Sequence, residues 1–227
     1  MPDLPWKKIK TVLLDMDGTL LDLHFDNHFW SHHLPAKLAV KRGISITQAK
    51  AYMNSEYSKV VGTLSWYCLD FWTEKLQLDI IQAKREIEHL ISMRPDTLPF
   101  LDALKASNRN VILVTNAHPH SLSLKIEHTQ LDAHIDQLIS THEFGITKES
   151  QLLWQKLQQR LGFNPATTLF VDDSLAILQS AKTFGIEHLL AVSNPDSQQP
   201  SRLINEFPAI QDYRYLLEDI VNNPFVG

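Results

Sequence analysis

The spacing of apolar residues changes twice along the chain. Residues 11–15 begin with a continuous apolar run that includes β-branched Val12, which is typical of a strand covered by helices on both faces. From residue 22 to about residue 92 the apolar positions instead recur at helical spacing, for example at Leu34 and Leu38, without strand-like alternation. We predict three or four helices in this part of the chain.

Beyond residue 93 the pattern alternates between strands and helices. The predicted strands span residues 110–115, 137–141, 168–172 and 188–192, and the predicted helices span about residues 96–107, 119–129, 149–161, 174–184 and 210–221. Alternating units of this kind predict a mostly parallel sheet with right-handed crossovers. We therefore predict an α/β fold, with a core of residues 1–21 and 93–227 and an inserted helical unit of residues 22–92.

Composition and charge narrow the classes of partner. With 227 residues, 44% of them hydrophobic, the chain is long enough to bury a sizeable core. A formal net charge of −5 provides no general basic field, so we expect no nucleic-acid polymer and no membrane as the main partner. The lone Cys68 suits a reducing compartment and the first ten residues lack an apolar signal region, so we expect a cytoplasmic protein.

Three predicted strands end in polar side chains. These are Asp15 and Asp17, Thr115 and Asn116, and Asp172 and Asp173. Sites in open parallel sheets form outside the carboxyl ends of the strands, so we expect these side chains to meet. Asp15 and Asp17 are two residues apart and share one side of an extended strand, where they repel each other unless a cation lies between them or one is protonated. Alternatively, they are turn residues that end the strand before Gly18.

The motifs at these strand ends resemble those of the haloacid dehalogenase-like (HAD) superfamily of aspartate-nucleophile phosphatases. The four motifs, in order, are DMDGT at 15–19, VILVTN at 111–116, Lys148, and FVDDS at 170–174. The resemblance implies a Rossmann-like core with a type 1 helical cap. Stretches such as LLDMDGTLLDLHFDNHFW and LSWYCLDFW are also similar to bacterial GMP/IMP purine 5′-nucleotidases, which implies a phosphatase that prefers purine nucleoside monophosphates.

Each motif residue suits a part of phosphoryl transfer, which needs a nucleophile, a metal and fixed donors. We expect Asp15 to be the nucleophile and Asp17 the general acid and base. Mg²⁺, or Mn²⁺ or Co²⁺ in its place, is expected to bind Asp15, the carbonyl of Asp17 and Asp172, with Asp173 close by.

The phosphate itself is expected to bind donors from the other two motifs. The Thr115 hydroxyl, the backbone N–H of Asn116 and the ammonium of Lys148 are the predicted groups. The expected partner is a small phosphate ester, and the sequence leaves the oligomeric state open.

Further polar and aromatic residues, most of them in the helical unit, form patterns that are less specific than the four motifs. Asp26, Asn27 and His118 lie close to the motifs and are possible substrate contacts, as is an aromatic such as Trp66 that stacks on a purine. Most of these aromatics are expected in the core of the helical unit. His28 and His32 have the i, i+4 spacing of a helical zinc-ligand pair, with His24 and His33 nearby, but without a neighbouring cysteine these histidines are most simply solvated. The charged group Lys84-Arg85-Glu86 is most simply a solvated helix face.

Three other functions compete with a purine nucleotidase. A phosphatase or mutase of sugar phosphates would use the same four motifs, and only the cap separates the two. A haloacid dehalogenase needs no metal, so Asp17 and the Asp172-Asp173 pair argue against it. A non-catalytic binding protein with this fold is disfavoured because the expected catalytic side chains are all present.

Overall fold

A six-stranded sheet with every strand parallel to its neighbours forms the centre of the fold, in a computed structural model that describes residues 2–226. The strands are β1 (Thr11–Leu14), β2 (Asn110–Thr115), β3 (Gln137–Ser140), β4 (Thr168–Asp172), β5 (His188–Val192) and β6 (Ala209–Ile210). Their order across the sheet is β3-β2-β1-β4-β5-β6. This is the order of the Rossmann-like doubly wound sheet, and it confirms the predicted α/β class.

Helices cover both faces of the sheet because successive residues of β1 point to opposite sides. Val12 and Leu14 pack in one hydrophobic cluster with Leu104, whereas Leu13 packs in a second cluster with Phe170. The core helices are α7 (Thr97–Ala106), α8 (Pro119–Thr129), α9 (Gln151–Leu161), α10 (Leu175–Phe184) and α11 (Leu217–Asn222). Four of them match the predicted helices to within two residues at either end.

The predicted helix over residues 210–221 is partly wrong. Ile210 belongs to β6, which pairs with the end of β5, and the Ser193 N–H donates to the Ile210 carbonyl at 2.9 Å. A 3₁₀ turn, Tyr213–Leu216, then leads into the short α11. A strand of two residues is too short to produce an alternating pattern, so the apolar positions of this region predict one helix.

Residues 22–92, which we call the helical insertion, contain six α-helices rather than three or four. They are α1 (His24–His28), α2 (Leu34–Arg42), α3 (Ile46–Val60), α4 (Leu64–Tyr67), α5 (Leu69–Leu76) and α6 (Ile80–Arg85). A π-helical segment joins the first two, and α4 has only four residues, which is too short for a periodic signal. Ser45 forms a capping box at α3, and the Asp79 side chain caps α6.

The helical insertion has its own hydrophobic cluster, which includes Phe29, Met53 and Trp72. Its two ends lie side by side. Leu21 pairs with Met93 in an antiparallel bridge, and the Asp22 N–H donates to the Ser92 carbonyl at 3.0 Å. The division into core and cap at these residues stays a prediction. Within residues 2–226, no helix is both long and apolar enough to cross a membrane.

Candidate active site

One cleft at the carboxyl edge of the sheet brings the predicted residues together. It has a volume of about 310 Å³ and lies between the core and the helical insertion. The predicted residues that line it are Asp15, Asp17, Thr115, Asn116, Lys148, Asp172 and Asp173. They meet because β1 lies between β2 and β4, in a register that pairs Leu14 with Leu113 on one side and Val171 on the other.

Lys148 joins the ends of β1 and β4. Its Nζ donates to Asp15 Oδ1 at 2.5 Å and to Asp172 Oδ2 at 2.7 Å, and its side chain is 1% exposed. Burial raises the pKa of Asp15 to about 6, although the Lys148 charge opposes this shift. Burial alone would lower the pKa of Lys148, but the two carboxylates outweigh it and raise that pKa. Lys148 is therefore a fixed cation beside Asp15.

Three carboxylates fit a hard divalent cation. Oxygen atoms of Asp15, Asp172 and Asp173 all lie within 4.8 Å of one another. Burial raises the pKa of Asp172 and raises that of Asp173 well above its ordinary value, with nearby carboxylates adding to the effect on Asp173. An all-oxygen donor set in which like charges crowd together is what Mg²⁺ accepts. The Asp17 side chain is not part of this group. Its backbone carbonyl remains the predicted metal ligand of this residue.

A second buried lysine holds Asp17. Lys125 Nζ donates to Asp17 Oδ1 at 2.6 Å and to Asp26 Oδ2 at 2.5 Å, and Lys84 Nζ donates to Asp26 Oδ1 at 2.8 Å. We call these four residues the lysine–aspartate chain. It crosses the cleft, since Asp26 and Lys84 belong to the helical insertion, while Asp17 and Lys125 belong to the core.

The charges of this chain shift its pKa values in opposite directions. Burial raises the pKa of Asp17 to about 6, against the opposing charge of Lys125. Burial also acts to raise the pKa of Asp26, but Lys125 and Lys84 outweigh it, and the pKa lies well below its usual range. Asp26 is therefore a permanent anion between two ammonium groups, whereas Asp17 is able to exchange a proton near neutral pH.

Asn116 and Thr115 lie at the end of β2, and both side chains already have partners. Asn116 Oδ1 accepts from the Lys148 N–H at 3.0 Å and from the Thr141 hydroxyl at 2.9 Å, and its Nδ2 donates to Glu149 at 3.1 Å. Thr115 Oγ1 accepts from the Ala117 N–H at 3.0 Å. The side-chain amide of Asn116 therefore positions the loop that carries Lys148. The backbone N–H of Asn116 remains the group that we predict to bind phosphate.

The helical insertion supplies the opposite wall of the cleft. Asp26, Asn27, Trp66 and Tyr67 line it, together with His118 from the core. The Tyr67 hydroxyl donates to Glu149 at 2.9 Å, and Asn27 Nδ2 donates to Asp196 at 2.7 Å. As expected, Trp72 is fully buried in the insertion's own cluster. Of the aromatics in α4 and α5, Trp66 and Tyr67 are the ones that reach the cleft.

Sequence reasoning missed both lysines of the lysine–aspartate chain. The interpretation of Lys84 as part of a solvated face is wrong, because the residue is 1% exposed and ion-paired. The ring centroids of Phe25 and Phe29 lie within 4.7 Å of its ammonium. Lys84 is therefore buried by residues that are distant from it in sequence. Lys125 has no motif around it. The sequence feature that could have indicated these buried lysines is Asp26, an acidic residue close to the first motif.

A comparison with known families identifies the class of protein. The family described as haloacid dehalogenase-like hydrolase matches residues 9–185. The chain belongs to this family, as its four motifs indicated.

Individual relatives narrow the comparison. GMP/IMP nucleotidase YrfG of Escherichia coli is 48% identical over 219 residues, which cover 96% of this chain and 99% of that protein. The protein of the same name from Shigella flexneri matches equally well. Among solved structures, a HAD phosphatase from Thermococcus onnurineus covers 96% of this chain and 100% of its own, with a TM-score of 0.77 and 24% identity. That likeness supports the fold.

Proposed function

We propose that the protein is a Mg²⁺-dependent phosphomonoesterase that hydrolyses purine nucleoside 5′-monophosphates through an aspartyl-phosphate on Asp15. The observation that supports it most directly is the pair of aspartates two residues apart, each held by its own buried lysine. Each carboxylate is thereby fixed beside a cation, and the raised pKa of Asp17 suits it to proton transfer. The purine preference rests on the 48% identity to the E. coli GMP/IMP nucleotidase.

In the first half-reaction an Asp15 carboxylate oxygen attacks phosphorus. The new P–O bond to Asp15 forms as the P–O bond to the nucleoside 5′-oxygen breaks. Asp17 gives its proton to that leaving oxygen, so the nucleoside departs as an alcohol. Lys148 and the N–H groups after β2 balance the charge on the phosphoryl oxygens.

In the second half-reaction Asp17 accepts a proton from water, and the resulting nucleophile attacks the phosphorus of the aspartyl-phosphate. Inorganic phosphate leaves, and the Asp15 carboxylate is restored with Asp17 protonated again. Lys125 keeps the Asp17 side chain in one orientation through both steps, since its ammonium is itself anchored by Asp26.

Asp15, Asp172, Asp173 and the Asp17 carbonyl are the groups that would hold Mg²⁺. When bound, the ion neutralises phosphoryl charge and offsets the repulsion among the carboxylates. Mn²⁺ and Co²⁺ are expected to substitute, because they also accept oxygen ligands.

The experiment is phosphate release from a panel of esters, with and without Mg²⁺. The panel includes GMP, IMP, AMP, UMP and several sugar phosphates, and the Asp15→Asn variant is the control. We expect metal-dependent release led by GMP and IMP, with the variant inactive. Preference for sugar phosphates would retain the mechanism and reject the substrate. A folded protein that releases phosphate from no ester would reject the phosphatase and favour a dehalogenase or a binding protein.

A further inference from the structure

A second group of metal-ligating side chains lies outside the acidic site. Ligand atoms of Cys68, His118 and His142 all lie within 4.8 Å of one another. A thiol and two imidazoles are the donors that Zn²⁺ selects, in contrast to the oxygen set of the acidic site. Within residues 2–226, this group and the acidic site are the two places where at least three metal-ligating side chains come together. The four histidines near residue 28, all within that range, form no such group.

One ring nitrogen of His142 is available to act as a ligand. The Nε2 of His142 is buried and has no hydrogen-bond partner among the described residues, whereas His118 Nδ1 accepts from the His120 N–H at 3.3 Å. His142 can therefore present Nε2 to a metal without losing a hydrogen bond. Burial lowers the pKa of both His118 and His142, which favours the neutral imidazole that a metal binds.

The spacing of the donors is close to that of a bound zinc. Zn–S bonds of about 2.3 Å and Zn–N bonds of about 2.0 Å place tetrahedral ligand atoms roughly 3.5 Å apart. The ligand atoms here lie within 4.8 Å of one another, so small side-chain rotations close the site. Asp70 offers a fourth ligand, since its Oδ2 lies 3.5 Å from His118 Nε2 and its side chain is mostly exposed.

The group joins the helical insertion to the core. Cys68 lies between α4 and α5, whereas His118 precedes α8 and His142 follows β3. Next to Cys68, Tyr67 reaches across the cleft to Glu149. Any movement that lifts this side of the insertion away from the core must separate Cys68 from the two histidines.

We propose that Cys68, His118 and His142 form a Zn²⁺ site that fastens the helical insertion to the core and inhibits turnover. Binding replaces the S–H bond of Cys68 with a Zn–S bond and releases that proton to solvent. The inhibitory part rests on the proposed phosphatase function, because it assumes that substrate enters and product leaves when the cleft opens.

Co²⁺ binding tests the site without reference to activity. Cys68 is the sole cysteine of the chain, so a thiolate-to-Co²⁺ charge-transfer band reports on this residue alone. We expect the band in the wild-type protein, its loss on adding Zn²⁺, and its absence in Cys68→Ser. His142→Gln should weaken Zn²⁺ binding by at least about tenfold in competition with a chromophoric chelator. His32→Gln is the control, since its ring stacks on His28 away from this group.

Either of two results overturns the site: no thiolate band in the wild-type protein, or the same Zn²⁺ affinity in His142→Gln as in His32→Gln. Phosphate release at saturating Mg²⁺ then tests inhibition. We expect about one equivalent of Zn²⁺ to inhibit the wild type and to leave Cys68→Ser at its Mg²⁺-only rate. Equal inhibition of both overturns the fastening role. Because metal binding is measured by absorbance, a protein that hydrolyses no ester rejects the proposed function without affecting the test of the site.

Discussion

At the scale of single residues, Gly18 permits the close approach on which the acidic site depends. Its φ is +82°, in the region that favours glycine, and an added Cβ would lie 2.9 Å from Asp173 Cγ and 2.9 Å from Pro195 Cβ. The first motif therefore contributes more than two carboxylates. It brings the backbone after β1 against the side chain that follows β4.

We expect Gly18→Ala to destabilise the protein and to weaken its response to Mg²⁺. The left-handed conformation costs about 1–2 kcal/mol for alanine, and the contact with Asp173 adds a steric penalty of about 1–3 kcal/mol. Urea unfolding measures the stability, and phosphate release against Mg²⁺ concentration measures the response. Gly162→Ala is a matched control, because Gly162 has φ +66° and nothing within 4 Å of an added Cβ. Equal losses in the two variants would show that the contact with Asp173 contributes nothing.

The location of the motif residues at the strand ends could be predicted from the sequence, but the two lysines of the lysine–aspartate chain could not. Asp15, Thr115 and Asp172 follow apolar strands, so the sheet topology alone places them at one edge. Lys84 and Lys125 lie on helices, and each becomes buried through Asp26, which is 58 and 99 residues away. Single-sequence patterns do not report contacts at that separation.

At the scale of elements, the lysine–aspartate chain connects three helices. Asp26 in α1 accepts from Lys84 in α6 and Lys125 in α8, so one carboxylate neutralises two buried cations. An exposed pair, Arg85 with Glu127 at 3.0 Å, joins α6 and α8 as well. The structure thus links α6 and α8 twice, by a buried connection through Asp26 of α1 and by an exposed ion pair.

Asp26→Asn should lower the free energy of unfolding by about 3–5 kcal/mol. Removing the anion leaves two buried ammonium groups without their shared partner, and broken buried pairs have penalties of that size. The matched control is Glu127→Gln, which breaks the exposed pair and should leave the free energy of unfolding nearly unchanged, because solvent screens exposed ion pairs. Urea unfolding of both variants measures the difference. A loss for Asp26→Asn as small as that of the control would contradict a stabilising role for the chain.

Elements were predictable where their patterns were long. Strands β2, β4 and β5 match their predicted bounds, because each is a run of at least five residues flanked by helices. The two-residue β6 and the four-residue α4 were missed, since neither is long enough to repeat a period. The same limit explains why six helices of the insertion were counted as three or four.

At the scale of the whole molecule, buried titratable groups make stability depend on pH in two opposing ways. Buried carboxylates with raised pKa values favour folding as pH falls, whereas buried histidines with lowered pKa values oppose it. His188, at the start of β5, is one such histidine: burial lowers its pKa, and its Nε2 has no partner among the described residues.

We expect His188→Gln to become more stable relative to the wild type as pH falls below about 6.5. The ordinary histidine pKa is 6.5, so His188 of the unfolded chain binds a proton before His188 of the folded protein does. The folded protein therefore loses stability as pH falls, until pH passes below the lowered pKa of His188 in the folded protein. Urea unfolding of both proteins at several pH values measures the difference, which removes the common contribution of the carboxylates. A difference that does not change between pH 7 and pH 5 would contradict the expectation.

The adjacent ends of the helical insertion have an evolutionary consequence. The helical insertion begins after Leu21 and ends before Met93, and these two residues are paired, so its two ends lie side by side. A contiguous DNA segment that encodes the intervening residues can be exchanged for another of different length without altering any strand. New substrate ranges can then arise by recombination of one cassette, while the phosphoryl chemistry proposed for the sheet edge is inherited intact.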